Sequence, residues 1–207
     1  MDFAHPIQSV IPGVRGRILA VLAAATAELN LRAIAAIASV SEAQASRVLP
    51  ELIAIGLVER REMPPSALFR LVRDHIAAGP VLALARSRDR MIQEMGDIAA
   101  GLPIPPVSMI IFGSFARGEA GIDSDIDTLM VRPADVDESD RSCLESIQEW
   151  IDRVGQVSGN LVEVLEVDED EVSERLLGAG PVWQDIQRDG LTVHGRTLDT
   201  FERVGSG

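Results

Sequence analysis

Apolar residues recur at helical spacing along the first part of the chain. Val14, Ile18 and Val21 lie about one turn apart, which predicts an amphipathic helix over 14–28. The same periodicity predicts a second helix over 31–38. We therefore expect the chain to begin with helices that pack an apolar face inward.

A short polar turn separates the second predicted helix from a third. The segment 39–41 (Ser-Val-Ser) forms this turn, and its last residue is a suitable N-cap for a helix that begins at Glu42. Further along, two segments of strand type, 57–63 and 67–72, are joined by the turn residues of 64–66 (Pro-Pro-Ser). The predicted order is helix, tight turn, helix and hairpin.

The second half of the chain opens with a pattern typical of a buried strand. The apolar run 107–112 ends at Gly113 and Ser114. Gly113 allows a ligand to approach the backbone closely, and Ser114 can cap a following helix and offer its hydroxyl. The amides at such a helix start point at an anion, so this turn is a candidate phosphate site.

Two aspartates follow in a segment of strand pattern. Asp125 and Asp127 would project to one side of a strand, about 6–7 Å apart along the chain. Burial of two unpaired carboxylates is costly, and a divalent cation such as Mg²⁺ relieves that cost. A calcium loop of the EF-hand type is excluded, because Thr128 stands where that loop needs Gly and Ala134 where it needs Glu. A solvated acidic turn is the alternative.

Charge divides the 207-residue chain into two unlike halves. All 19 basic residues are Arg; residues 1–75 hold 8 of them with 7 acidic residues, whereas residues 101–207 hold 8 with 22 acidic residues. The prolines of 101–106 prevent a helix from continuing and mark a boundary. We expect an N-terminal domain, a connecting helix near 81–100 with the Pro-rich segment, and a C-terminal domain, over 1–76, 77–105 and 106–207 respectively.

Composition excludes several classes of protein. The single cysteine, Cys143, excludes a disulfide framework and an all-cysteine zinc site. No uncharged apolar run approaches the roughly 18 residues of a membrane helix, and the first ten residues lack the build of a signal peptide. We therefore expect a soluble, cytoplasmic protein with no membrane partner.

The pattern over 31–72 resembles the winged helix-turn-helix of bacterial regulators. The resemblance implies that early residues of the third helix enter the DNA major groove while arginines of the hairpin contact phosphates. Pro50 departs from it, since a proline inside a helix costs about 3 kcal/mol if unrelieved. The near-neutral charge also leaves open a dimerisation or packing role, and a homodimer is expected by analogy. The candidate DNA contacts are Gln44, Ser46, Arg47, Arg60 and Arg61.

The motifs of the second half resemble the nucleotidyltransferases of the DNA polymerase β superfamily, and most closely their minimal bacterial branch. Gly-Ser at 113–114, Arg-Gly at 117–118 and the paired aspartates at 125 and 127 carry the resemblance. It implies that Gly113 and Ser114 bind the triphosphate of a nucleotide, commonly ATP. It also implies that Asp125 and Asp127 bind two Mg²⁺ ions.

Active members of this family have a third carboxylate on a later strand. Glu163, set among apolar residues, is the candidate here for metal binding and for deprotonating the attacking hydroxyl; Glu166 is the fallback, and a structural glutamate is the alternative. Arg117 either contacts the nucleotide phosphates or pairs with Asp123 or Asp125.

The resulting expectation is an α+β protein, a winged helix followed by a small nucleotidyltransferase domain with a mixed sheet. It would move a nucleoside monophosphate, AMP from ATP, onto an acceptor hydroxyl. The acidic second half would attract a basic partner protein, as in an antitoxin that modifies its toxin, or a polycationic small molecule, as in aminoglycoside nucleotidyltransferases. A transcriptional regulator whose transferase domain only senses a nucleotide is the remaining alternative.

Overall fold

Two units make up the chain in the computed structural model, which describes residues 1–178 and 180–204. His5–Ser87 forms one unit; Met1–Ala4 and the chain from Arg88 onwards form the other. The Pro-rich segment 101–106 lies inside the second of these units.

The first unit contains five helices and a small sheet among its described residues. The apolar faces of its helices enclose one core, which includes Ile18, Leu22 and Ile34. The sheet is antiparallel with the strand order β1-β3-β2. In chain order the elements are α1 (Pro6–Val10), α2 (Gly13–Ala24), β1 (Leu29–Asn30), α3 (Leu31–Ile37), α4 (Glu42–Ala54), β2 (Val58–Met63), β3 (Ser66–Leu71) and α5 (Ala78–Ala85).

The predicted helix-turn-helix and hairpin are confirmed. Ser41 caps α4 by accepting a hydrogen bond from the Gln44 amide at 3.1 Å, and the Gln44 side chain accepts one from the Ser41 amide at 2.9 Å. Pro50 lies inside α4 without ending it. The side chains of Ser46 and Pro50 are both exposed, so water can reach the Ser46 carbonyl that loses its helical partner.

The single connecting helix expected near 81–100 is wrong, because the chain forms two helices there. Helix α5 ends at Ala85, and α6 spans Ser87–Ala100. The apolar residues of α5, such as Val81, belong to the core of the first unit, whereas Met91 and Met95 of α6 belong to a core of the second. Each helix therefore packs into a different hydrophobic core.

The second unit is built on a four-stranded mixed sheet of order β6-β5-β4-β7. Strand β5 runs antiparallel to β4 and parallel to β6, and β7 runs antiparallel to β4. The α+β class and the mixed sheet are as predicted. After α6 the elements are β4 (Ser108–Phe112), α7 (Gly113–Arg117), β5 (Ile126–Arg132), α8 (Arg141–Ser158), β6 (Val162–Asp168), α9 (Glu169–Leu177), α10 (Pro181–Asp189), β7 (Leu191–Gly195) and α11 (Leu198–Val204).

Alternation along the strands gives this sheet two covered faces. On one face Met109 and Ile111 pack with Met95 of α6 and Trp150 of α8. On the other face lie Ile110, Leu129 and Val131 of the strands, with Val172, Ile186 and Phe201 from the last three helices. The sheet is therefore rigidly held, and the loops and strand ends at its edge are the places for a site.

Candidate active site

A glycine turn lies between β4 and the short helix α7. Gly113 has a φ of +68°, a backbone conformation that residues other than glycine rarely adopt. A Cβ built at this position would lie 2.3 Å from Oδ2 of Asp127. Glycine is needed here both for the backbone conformation and because the Asp127 carboxylate lies against the turn.

The strand register brings two acids together beside this turn. Asp127 of β5 pairs with Glu163 of β6 as neighbouring Cα positions, so both side chains project from the same face of the sheet. Burial raises the pKa of the Asp127 carboxyl above its ordinary value, and the negative charges of Glu163 and Asp125 raise it further. Asp125 lies just before the start of β5 and is half-buried. The site is thus a focus of negative charge.

Glu166, the fallback third acid, is engaged elsewhere. Its carboxylate accepts a hydrogen bond from Nε of Arg132 at 2.6 Å, and the same guanidinium binds Asp168 at 2.9 Å. Glu166 also lies three positions from Glu163 on β6, which places the two side chains on opposite faces. Between the two candidates, Glu163 is the acid that faces Asp127.

The donor chemistry of the site suits a hard cation, but the acids do not form a closed ligand set. In the part of the chain that the structure describes, no three His, Cys, Asp or Glu side chains are grouped closely enough to hold a metal ion. Carboxylates repel one another, which opposes their convergence. The available ligands, Asp125, Asp127 and Glu163, are all oxygen donors of the kind that Mg²⁺ prefers.

Arg117 pairs with neither Asp123 nor Asp125, so that sequence-based pairing is wrong. Its Nε lies 2.8 Å from Glu119, and its Nη1 lies 2.7 Å from Oδ2 of Asp189 on α10. The sequence offered no sign of this contact, because the two partners are 72 positions apart. The ion pair joins α7 to α10 beside the glycine turn.

Asp189 is expected to contribute an acid-sensitive part of the stability. Arg188 and Arg117 both donate hydrogen bonds to its carboxylate and lower its pKa to about 2. Because folding lowers this pKa from its ordinary value of 3.8, the ionised carboxylate stabilises the fold above pH 3.8, and this contribution is lost as the pH falls through about 2. Asp189→Asn should therefore melt below the wild type at pH 6, and the gap between melting temperatures should narrow as the pH falls from about 4 to 2. A gap that stays constant over this range would contradict the linkage.

Asn160 connects three segments behind the acids. Its side-chain nitrogen donates to the carbonyls of Ser124 at 2.9 Å and Gly121 at 3.4 Å, and its Oδ1 accepts from the Met1 amine at 2.6 Å. The residue is buried and precedes β6 by two positions. The sequence analysis did not identify Asn160, because a single Asn between a helix and a strand is typical of a turn. The contacts fix the loop that leads to Asp125.

Two further residues, Phe3 and Arg88, hold the short helix α7 that follows the glycine turn. Phe3 is buried with its ring 5.0 Å from that of Phe115, and its amide donates to the Ala120 carbonyl at 2.9 Å. Arg88 donates from Nε to the Phe115 carbonyl at 3.1 Å, and its Nη2 donates to the Ala116 carbonyl. The sequence pattern did not predict these contacts either, because each joins residues that are far apart in the chain.

Removal of the Asn160 side chain is expected to slow the site as well as weaken the fold. Asn160→Ala removes the side-chain donor to the Ser124 carbonyl, one of the two donors to the Gly121 carbonyl and the acceptor for the Met1 amine. We therefore expect a loss of about 1–3 kcal/mol in the free energy of unfolding and a fall of about tenfold in transfer rate. Asn30→Ala is the matched control, because Asn30 caps α3 in the other unit by accepting from the Ala33 amide at 2.8 Å. Denaturant unfolding and rate measurements should show that only Asn160→Ala slows transfer; equal rates for both variants would contradict the positioning role.

A cavity of about 500 Å³ opens beside the acids. Its lining includes the acids Asp127 and Glu163 and the apolar side chains of Phe112, Leu165 and Trp183. Its size and mixed lining suit a nucleotide-sized ligand with charge at one end and an apolar ring at the other.

The five candidate DNA contacts fall on two elements of the first unit. Gln44, Ser46 and Arg47 are exposed on α4, although the Gln44 side chain is engaged in the capping box. Arg60 and Arg61 are exposed on β2 and pair with Glu62 and Glu28.

Comparison with known proteins agrees with this division. Residues 93–182 match the model of the nucleotidyltransferase domain, and residues 16–62 match that of the IclR helix-turn-helix domain. A solved structure, described as "Crystal structure of the toxin-antitoxin with AMP-PNP", is similar at 18% identity over 57% of this chain and 81% of its own, with a TM-score of 0.36. No curated protein matches the chain.

Within the described residues, no helix is both long and apolar enough to cross a membrane.

The glycine turn, the acids and the cavity beside them all belong to the second unit, and the candidate DNA contacts belong to the first. The chain therefore carries an IclR-type helix-turn-helix domain followed by a nucleotidyltransferase domain.

Proposed function

We propose that the protein transfers a nucleoside monophosphate from a nucleoside triphosphate, with ATP as the donor, to a hydroxyl group of an acceptor. The observation that carries this proposal is the in-register pair Asp127 and Glu163 beside the Gly113 turn. Acids placed next to a backbone turn with room for phosphates are what phosphoryl chemistry requires.

Each residue has a distinct role in this proposal. The Gly113–Ser114 turn receives the triphosphate, while Asp125, Asp127 and Glu163 would hold Mg²⁺, which when bound neutralises phosphate charge and polarises the reacting phosphate. Glu163 accepts the proton of the acceptor hydroxyl while the oxygen of that hydroxyl forms a bond to the α-phosphorus. The bond from that phosphorus to the bridging oxygen breaks, and pyrophosphate leaves.

The acceptor that we propose is a basic partner protein, as for an antitoxin that modifies its toxin. Support comes from charge, since residues 101–207 hold 22 acidic residues against 8 arginines. Such a surface attracts a cationic partner and speeds its encounter at low ionic strength. A polycationic small molecule has the same charge chemistry and is the competing acceptor in the experiment below.

Transfer of label tests the proposal directly. The full chain, incubated with Mg²⁺ and ATP labelled at the α-phosphate, should label a protein of a lysate from its own cells, whereas γ-labelled ATP should not. Label on an added aminoglycoside instead would identify the small-molecule acceptor. Saturable nucleotide binding without transfer to either acceptor would reject the enzyme and leave the nucleotide-sensing regulator.

We also propose that the first domain binds DNA. The capped helix α4 with exposed Ser46 and Arg47 and the hairpin that follows it support this function. Binding of the full chain to a fragment upstream of its own gene should weaken steeply with salt, as phosphate contacts do. No binding at low salt would reject it.

A further inference from the structure

A second cavity lies within the helix-turn-helix unit, away from the acids. It has a volume of about 830 Å³ and is bounded by α3, α4 and the hairpin of β2 and β3. Leu49 and Phe69 form its buried floor, while Leu31 and Ile53 are only partly buried in its walls. A concave, mostly apolar cavity of this size is typical of a site for a small organic molecule.

The charged groups of this cavity favour an anion. Arg32 lines it, is exposed, and has no ion-pair partner within the chain that the structure describes. Arg60 also lines it and pairs with Glu62, whose side chain is 68% exposed, an arrangement that water screens strongly. The lining holds two arginines and one acid, Glu42, and Arg32 is the guanidinium with no ion-pair partner among the described residues.

We propose that this cavity binds a small amphipathic organic anion, with a flat apolar body between Leu31, Ile53 and Phe69 and an acidic head at Arg32. The site goes beyond nucleotide transfer, because it lies entirely in the other unit. The cavity includes Ser46 and Arg60, two of the candidate DNA contacts. The ligand and DNA would therefore bind to the same face of this unit.

Two fluorescent probes separate the apolar and the anionic parts of the site. Anilinonaphthalene sulfonate carries an acidic head, and phenylnaphthylamine has the same rings without it. Both are titrated into the full-length wild type, Arg32→Ser and Ala54→Trp, whose new ring would fill the cavity from the exposed end of α4. Arg90→Ser removes an exposed arginine outside the cavity and is the matched control.

We expect saturable binding of the sulfonate at one site that Ala54→Trp removes. Arg32→Ser should weaken the sulfonate about tenfold and leave the uncharged probe unchanged, while Arg90→Ser changes neither. Sulfonate affinity equal in wild type and Ala54→Trp would place the probe elsewhere and overturn the proposal. Equal loss in Arg32→Ser and Arg90→Ser would overturn the anion site, since it would reflect net charge alone.

Discussion

Replacement of Asp127 by Asn is expected to lower the rate of nucleotide transfer by about a hundredfold to a thousandfold while the fold remains intact. The substitution keeps the size of the side chain but removes the charge that the proposed Mg²⁺ and triphosphate need. Burial and the charges of Glu163 and Asp125 raise the pKa of the Asp127 carboxyl, which means that its ionised form destabilises the fold. The variant should therefore melt at or above the temperature of the wild type at pH 7.

This combination of lost activity and retained stability separates a functional acid from a structural one. Glu163→Gln should lose activity to a similar extent, because its carboxylate faces Asp127 across the two strands. Asp123→Asn is the matched control, since Asp123 is an exposed acid of the same segment. Steady-state rates and melting curves are measured for all three. Wild-type rates in Asp127→Asn, or equal losses in Asp123→Asn, would remove the acids from the proposed mechanism.

Local periodicity was sufficient to predict the elements that hold the site. The apolar run 107–112, the glycine turn and the acidic strand appear in the fold as β4, α7 and β5. Glu163 was expected to be the third acid because it lies among apolar residues of a predicted strand, and the observed register places it beside Asp127. These predictions depend on neighbours in sequence and on one regular geometry.

The remaining features depend on contacts between distant parts of the chain. Asn160 reaches Ser124 across 36 positions, and Arg117 reaches Asp189 across 72, distances at which sequence periodicity carries no information. The division between α5 and α6 follows from which core each apolar face joins, and both faces look alike in sequence. Pro50 was a poor guide to the end of α4, since its exposed position lets solvent satisfy the carbonyl it leaves unpaired.

Gly113→Ala is expected to damage the site and the fold together. The residue has a φ of +68°, and a left-handed conformation costs a residue other than glycine roughly 1–2 kcal/mol. The added Cβ would also lie 2.3 Å from Oδ2 of Asp127, closer than any contact between these atoms. Because the turn is held by Phe115 and Arg88, the carboxylate has to move, and we expect transfer to fall about a hundredfold.

Gly118→Ala separates backbone strain from this collision. Gly118 has a φ of +77°, so the strain is similar, but a Cβ there would have its nearest neighbour, Nε of Arg88, at 3.6 Å. Denaturant unfolding should show a loss of stability in both variants, larger in Gly113→Ala because of the added collision, whereas transfer assays should show a large loss in Gly113→Ala alone. Equal losses of activity would mean that strain in α7 explains the effect. The close approach of Asp127 to the turn would then have no part in catalysis.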